Sequence, residues 1–303
     1  FKVKSSAIKI LKNKNEDDSL KFFYELMSQI KFEAKEHKRY YISAYQKIEV
    51  PVPTNPAEQQ KIAACLSSLD DVIAGHEEKL TLLEEHKKGL MQNLFPQEGE
   101  TQPKYRFPEF ENGGDWGEKK IGDIAEIITG YTPKTSEREN YGSEFNFVSP
   151  ADISNNRYIT NTKTKLSKLG LSKTRLLKPN SILFVCIGST IGKIAQIKEE
   201  CATNQQINAV YTEKYSNDFL YSLLEYHSAK IADNAGHHAI PIINKSDFSN
   251  LSFLIPKSLH EQQKIASVLS SVDELILAQR EKIEALKEHK KALMQGFFPK
   301  IKS

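Results

Sequence analysis

Residues 58–96 read EQQKIAACLSSLDDVIAGHEEKLTLLEEHKKGLMQNLFP, and residues 261–299 read EQQKIASVLSSVDELILAQREKIEALKEHKKALMQGFFP. The two stretches align without a gap at an offset of 203 (261 − 58), with well over half of the positions identical. A repeat of this kind decides the architecture, because each copy must be one structural unit used twice. Neither copy contains Pro before its closing Phe-Pro, and only Gly75, Gly89 and Gly296 weaken it as a helix. Apolar residues recur at alternating steps of four and three: Ile62, Leu66, Leu69, Ile73, Leu80, Leu83, Leu90 and Leu94. The second copy gives Ile265, Leu269, Val272, Ile276, Ile283, Leu286, Leu293 and Phe297. That spacing predicts a coiled-coil seam.

Two layers of the seam are polar in both copies, His76 with Gln279 and Lys87 with Lys290. Polar layers of this sort fix register at some cost in stability, and His76 is read that way rather than as a ligand or a base. Neither helix can bury its seam alone, so the two are expected to pack together. Like units related by a pseudo-two-fold axis place their helices antiparallel. At ~1.5 Å per residue, a helix of about 38 residues spans on the order of 57 Å, which would make the pair a strut between globular units. A parallel pair in a homodimer is the competing arrangement.

The rest of the chain must be what the helices carry. With 303 residues and 39% apolar content, it is long enough for one large domain or two ordinary ones. The stretch 97–116, QEGETQPKYRFPEFENGGDW, reads as a linker. From 117 to 256 the pattern becomes α+β: β-rich runs at 145–150, 180–188, 193–197 and 207–212, with a helix over 217–232. Part of this pattern also precedes the first helix. KIEVPVPTNPAEQQ matches NLSFLIPKSLHEQQ, and LKFFYELMSQIKFEA resembles FLYSLLEYHSAKIA. Residues 1–53 thus read as the last third of a domain whose fuller version is 117–256, followed by helix 54–96. Residues 257–303 are the second helix and its tail. The first residue is Phe1, so the chain is expected to be a fragment or the ordered part of something longer.

Cys65, Cys186 and Cys201 are odd in number and form no CxxC pair, which argues against a disulfide framework or a zinc site and for a reduced, cytoplasmic protein. No run approaches the ~18 apolar residues of a membrane span. The net charge of +3 permits nucleic-acid binding without demanding it.

The repeated helix motif, together with WGEKKIGDIAEIITGYTP and ILFVCIGSTIGKIAQIKEECATNQQINAV, resembles the DNA specificity subunits of Type I restriction–modification systems. The resemblance covers essentially the whole chain and departs from the family at the start, where most of the first recognition domain is missing. It implies an α+β fold with globular target-recognition domains joined by two long conserved helices in an antiparallel coiled coil. It also implies a non-catalytic DNA reader for a bipartite target, with double-stranded DNA, two methyltransferase subunits and restriction–translocase subunits as partners. No cofactor is implied for this chain; S-adenosylmethionine, ATP and Mg would belong to the partners. The other reading is a truncated assembly module that binds methyltransferase and reads DNA only as a dimer.

Motifs for chemistry are absent. GSTIGK at 188–193 is one residue short of a phosphate loop, and Ile194 replaces the hydroxyl residue that would hold magnesium. The pair His237-His238 reads as a polar loop. Candidate DNA contacts fall into two kinds. Lys163, Lys165, Lys168, Lys173, Arg175 and Lys178 form a run without an acidic residue, suited to phosphates. Two polar loops suit base edges: Tyr131, Thr132 and Lys134 in one; Ser189, Thr190 and Lys193, then Asn204, Gln205 and Gln206, in the other. Gln205 and Gln206 are open to a second role, satisfying buried backbone groups.

Overall fold

The structure, a computed structural model, describes residues 10–12, 14–15, 17–30, 47–235 and 241–299. His237 and His238 lie outside them. In chain order the helices and strands are α1 Leu20–Ser28, α2 Pro56–Leu94, β1 Gly117–Lys120, α3 Ile121–Ile124, β2 Glu126–Thr129, β3 Tyr141–Val148, β4 Tyr158–Ile159, β5 Thr164–Leu166, α4 Lys168–Ser172, β6 Ile182–Val185, β7 Ile194–Ile197, β8 Ala202–Thr203, β9 Ile207–Tyr211, α5 Asn217–Tyr226, α6 Ser228–Asp233, α7 Lys245–Ser249, β10 Ser252–Ile255 and α8 Leu259–Phe297. The chain divides into two compact units, residues 83–277 and residues 1–82 with 278–303. Each long helix therefore contributes to both.

In the first of these units β6 is the central strand. It pairs antiparallel with β9 on one side and β7 on the other, within a five-stranded sheet of order β2-β9-β6-β7-β4. All four of its side chains are buried. Successive side chains point to opposite faces, so Ile182 and Phe184 join Phe219, Leu220 and Leu223 of α5, whereas Leu183 and Val185 join Val148, Ile153 and Cys201. The first of these clusters also holds Met91 and Leu94 of α2, Phe95 just beyond it, and Ile265, Ala266 and Leu269 of α8. The helix ends are thus part of the domain core. Burying each Leu, Ile or Phe there contributes ~1.5–3 kcal/mol. A three-stranded sheet, β5-β3-β8, and the pair β1-β10 complete the unit.

The helix expected over 217–232 is broken. His227 leaves helical geometry (φ −92°, ψ 0°), separating α5 from α6. Its ring contacts Tyr226 and Phe253, at centroid distances of 4.9 and 5.2 Å.

The second unit repeats the docking in smaller form. Phe22 and Leu26 of α1 pack on Ile62, Ala63 and Leu66 of α2 and on Met294 and Phe298. The long helices run antiparallel in both units. Lys87 meets Asp273 in one; in the other His76 meets Gln279 and Asp70 meets Lys290. Residue numbers rise along one helix as they fall along the other, and the parallel arrangement is not adopted within the chain. Every apolar seam residue predicted is buried or half-buried. Toward the helix ends the most buried positions move by one residue, to Met91 and Met294 in place of the half-buried Leu90 and Leu293. A step of four follows a step of four there, the drift expected of ~3.6 residues per turn when a strict seven-residue repeat is not imposed.

Candidate nucleic-acid interface

Sheet register brings the polar loops together. Thr129 lies opposite Asn208, Val185 opposite Ile207, and Phe184 opposite Ile194. The segments 130–135, 186–193 and 203–206 therefore leave the same end of the five-stranded sheet. The GSTIGK stretch joins two antiparallel strands, β6 and β7, whereas a phosphate loop leads from a strand into a helix. It turns with Gly188 and Gly192 at φ +95° and +92°.

The loops are braced against one another. Gly130 donates its N–H to Ile207 O at 3.0 Å and Tyr131 donates to Thr203 O at 2.9 Å. A Cβ on Gly130 would lie 2.1 Å from Asn204 O, so only glycine permits this approach. Thr132 Oγ1 donates to Gln205 Oε1 at 2.6 Å. The two glutamines separate in role. Gln206 donates Nε2 to Ile187 O at 3.3 Å, and its N–H donates to Asn204 Oδ1 at 3.1 Å. Asn204 Nδ2 returns a bond to Gln206 Oε1 at 3.0 Å. Asn204 and Gln206 thus tie the loops together, while Gln205 is exposed. Tyr131 (49% exposed), Lys134 and Ser189 face solvent, and Thr132 and Thr190 are half-buried. Lys193 turns its ammonium back to Ile153 O at 3.0 Å.

The basic run is not one stripe. Arg175 donates to Thr129 O at 2.6 Å and so belongs to the loop end of the sheet. Lys178 pairs with Glu213 at 2.9 Å and lies over the Tyr211 ring at 4.9 Å. Tyr211 is opposite Glu126, at the other end of β2 and β9. Lys173 bonds Glu137 at 2.8 Å, and Lys134 approaches the same carboxylate at 3.7 Å. These contacts, led by the Lys173 hydrogen bond, hold the Glu137 carboxyl below the ordinary range. Lys163 and Lys168 are exposed and Lys165 is half-buried on β5, and none of the three forms an ion pair among the described residues. The acidic partners come from Glu137 and Glu213, far outside the run in sequence.

Arg175 and the three polar loops meet at one end of the five-stranded sheet, in a domain whose core is shared with an antiparallel helix pair, while Lys163, Lys165 and Lys168 lie on or beside β5 of the three-stranded sheet. The chain belongs to the family described as Type I restriction modification DNA specificity domain, whose model matches residues 1–85 and 113–288. It is similar to the Type I restriction enzyme MjaIX specificity subunit of Methanocaldococcus jannaschii, 29% identical over 190 residues, covering 61% of this chain and 44% of that protein. The Type I restriction enzyme EcoR124I/EcoR124II specificity subunit of Escherichia coli is 28% identical over 300 residues, covering 91% of this chain and 69% of that protein. In fold the chain is like the crystal structure of a Type-I restriction-modification system S subunit from M. genitalium, with a TM-score of 0.65 at 16% identity, covering 94% of this chain and 74% of that one. The chain thus matches under half the length of the first of these relatives.

Proposed function

We propose that this chain is the DNA-reading, non-catalytic part of a Type I restriction–modification complex. The observation that carries the reading is the convergence of three polar loops, with Arg175 beside them, on one end of a rigid sheet. Loops fixed to one another present donors and acceptors in a constant pattern, which base readout requires. Lys163, Lys165 and Lys168 supply phosphate contacts. On this reading residues 1–53 end one recognition domain, 54–96 and 257–303 are the conserved helices, 97–116 is a linker and 117–256 is the fuller recognition domain. Its partners are double-stranded DNA, two methyltransferase subunits and restriction–translocase subunits. S-adenosylmethionine, ATP and Mg would be used by those subunits. Among the described residues no helix is long and apolar enough to cross a membrane, and a cytoplasmic site suits a partner of genomic DNA.

The test is sequencing of methylated sites in cells carrying the chain and its methyltransferase, paired with salt titration of duplex binding. Reversing Lys163, Lys165 and Lys168 to Glu should weaken binding to all sequences and reduce the salt slope, by about one unit for each phosphate no longer neutralised. Lys178→Glu, at the other end of the sheet, should leave the slope unchanged. Equal effects at Lys178, or methylation with no sequence preference, would refute the assignment.

A further inference from the structure

Arg157 belongs to no motif of the sequence, yet it is among the most heavily bonded of the described side chains. It is 6% exposed. Its Nε and Nη2 donate to Gln196 Oε1 of β7 at 2.9 and 2.8 Å, and Nη2 donates to Asp218 of α5 at 2.5 Å. Nη1 reaches α8, donating to Ser270 Oγ at 2.5 Å and Asp273 Oδ2 at 3.3 Å. The guanidinium lies 4.5 Å from the Tyr221 ring centroid. Asp273 is also held from the other long helix, by Lys87 at 2.6 Å, and Lys87 pairs with Glu225 of α5 at 2.5 Å. Charges thus alternate from the recognition domain through α8 to α2 and back to the domain.

The same pattern occurs a second time, in the other unit. Lys290 and Asp70, the repeat equivalents of Lys87 and Asp273, pair at 2.6 Å. Glu25 of α1 pairs with Lys290 at 3.2 Å, and Lys21 closes the ring to Glu25 at 2.9 Å and Asp70 at 3.3 Å. The cation and acid on the domain side are not the same residues in sequence, but the helix-side Lys and Asp are. Two occurrences built around the same repeated pair argue against accident.

Buried ion networks contribute little net stability relative to well-packed apolar residues, because the charges must be desolvated. What they supply is direction: a guanidinium with its donors committed has one permitted pose, whereas the apolar cluster that holds Phe95 and Leu269 tolerates sliding. We propose that the charged network is a clamp fixing the pose of the recognition domain on the helix pair, with Arg157 as its positioning residue. Resting on the DNA-reading assignment above, the clamp then sets how strictly the spacer between half-sites is measured.

Two readouts test this on the intact chain carrying Cys65→Ser. Spin labels at Glu199→Cys, in the recognition domain, and at Gln263→Cys, on α8, report the pose directly. Both sites are exposed. Cys186 and Cys201 are buried, with burial pushing each thiol up to about 12, so they resist labelling. One narrow distance distribution is expected in the parent, a broadened one in Arg157→Gln and Asp273→Asn, and a partial return in Arg157→Lys, with far-UV circular dichroism unchanged. In complex with methyltransferase, a duplex library of randomised spacers should yield one preferred length for the parent. Arg157→Gln should raise selection of neighbouring lengths about ten-fold without altering half-site bases. An unchanged distance distribution in both variants, or weaker binding at an unchanged spacer preference, would overturn the clamp. If the parent selects no bipartite target while the distances respond, the DNA-reading assignment fails and the clamp stands. Should Arg157→Gln unfold the chain, Asp273→Asn, which removes charge but not shape, decides both readouts.

Discussion

Glu58 and Glu261 open the two copies of the same phrase, EQQKIA, and their removal should have very different consequences. Glu261 is 1% exposed. Its carboxylate accepts from Arg106 Nε and Nη2, both at 2.8 Å, and from Trp116 Nε1 at 3.2 Å. Glu58 is exposed in the first turn of α2. In Glu261→Ala the Arg106 guanidinium stays buried without its counter-charge, a loss of ~3–5 kcal/mol. The unsatisfied indole N–H adds to this less than its separate cost of ~1–3 kcal/mol, since the two donors share one acceptor. Glu58→Ala loses only an acidic group near a helix N-terminus, ~0.3–1 kcal/mol. Urea unfolding measures both. Trp116, the single tryptophan, is 3% exposed beside Glu261 and reports that unit by fluorescence, while the helical signal reports the whole chain. Arg106→Met combined with Glu261→Gln should recover much of the loss, because no buried charge remains. Equal costs at Glu58 and Glu261, or a Glu261 cost under ~1 kcal/mol, would refute the reasoning, since both depend on Arg106 being desolvated.

Gly130→Ala should abolish specific DNA recognition while the helical signal stays intact, because the new methyl group would displace the 203–206 loop; specific binding within two-fold of the parent would disprove the loop brace. His227 has its pKa pushed down by burial, with Lys230 adding to the effect, so the unfolded chain takes up the proton first as pH falls. Stability should drop as pH passes down through ~6.5, and His227→Phe, which keeps the ring contacts with Tyr226 and Phe253, should flatten that dependence. Melting temperatures at pH 7.5 and 5.5 decide it, and an unchanged slope in the variant would place the titration elsewhere.

The long helices were legible because a coiled-coil seam is a local periodic signal, and an intact second copy repeats it. Buried strands such as Ile182–Val185 were legible as apolar runs bounded by turns. The gathering of loops was not, because it depends on a sheet order in which β9 lies between β2 and β6. The basic run looked uniform for a related reason. Its neutralising partners, Glu137 and Glu213, are brought in by tertiary structure, and these divide the run in a way its own sequence does not show. Gln205 and Gln206 are adjacent and chemically identical, and only the turn they form, closed by Ile207 N–H to Asn204 O at 3.3 Å, sends one inward and one outward.

Two ion pairs between the copies use the same two residues of the repeat. Lys87 pairs with Asp273 and Lys290 with Asp70, so a change in either helix would be felt through its partner. Gln59 donates to Pro53 O at 3.0 Å and accepts from Ser19 N–H at 3.5 Å; Gln262 donates to Pro256 O at 3.0 Å and accepts from Ser216 N–H at 3.1 Å. These bonds tie the start of each long helix to the N-cap of the shorter helix packed on it. One pair behaves differently. His76 and Gln279 are equivalent by the 203 offset, yet they touch each other, with Gln279 Nε2 at 2.8 Å from His76 Nδ1 and donating to His76 O at 2.7 Å. Equivalent residues of an antiparallel pair can meet only near the point where the two helices exchange roles. A position there must be compatible with its own counterpart, and here the two copies differ. A His–Gln pair satisfies its polar groups across the seam in a way that the unlike residues alone make possible. The identical Lys–Asp layers thus bond crosswise between non-equivalent positions, whereas the divergent His76–Gln279 layer joins equivalent ones.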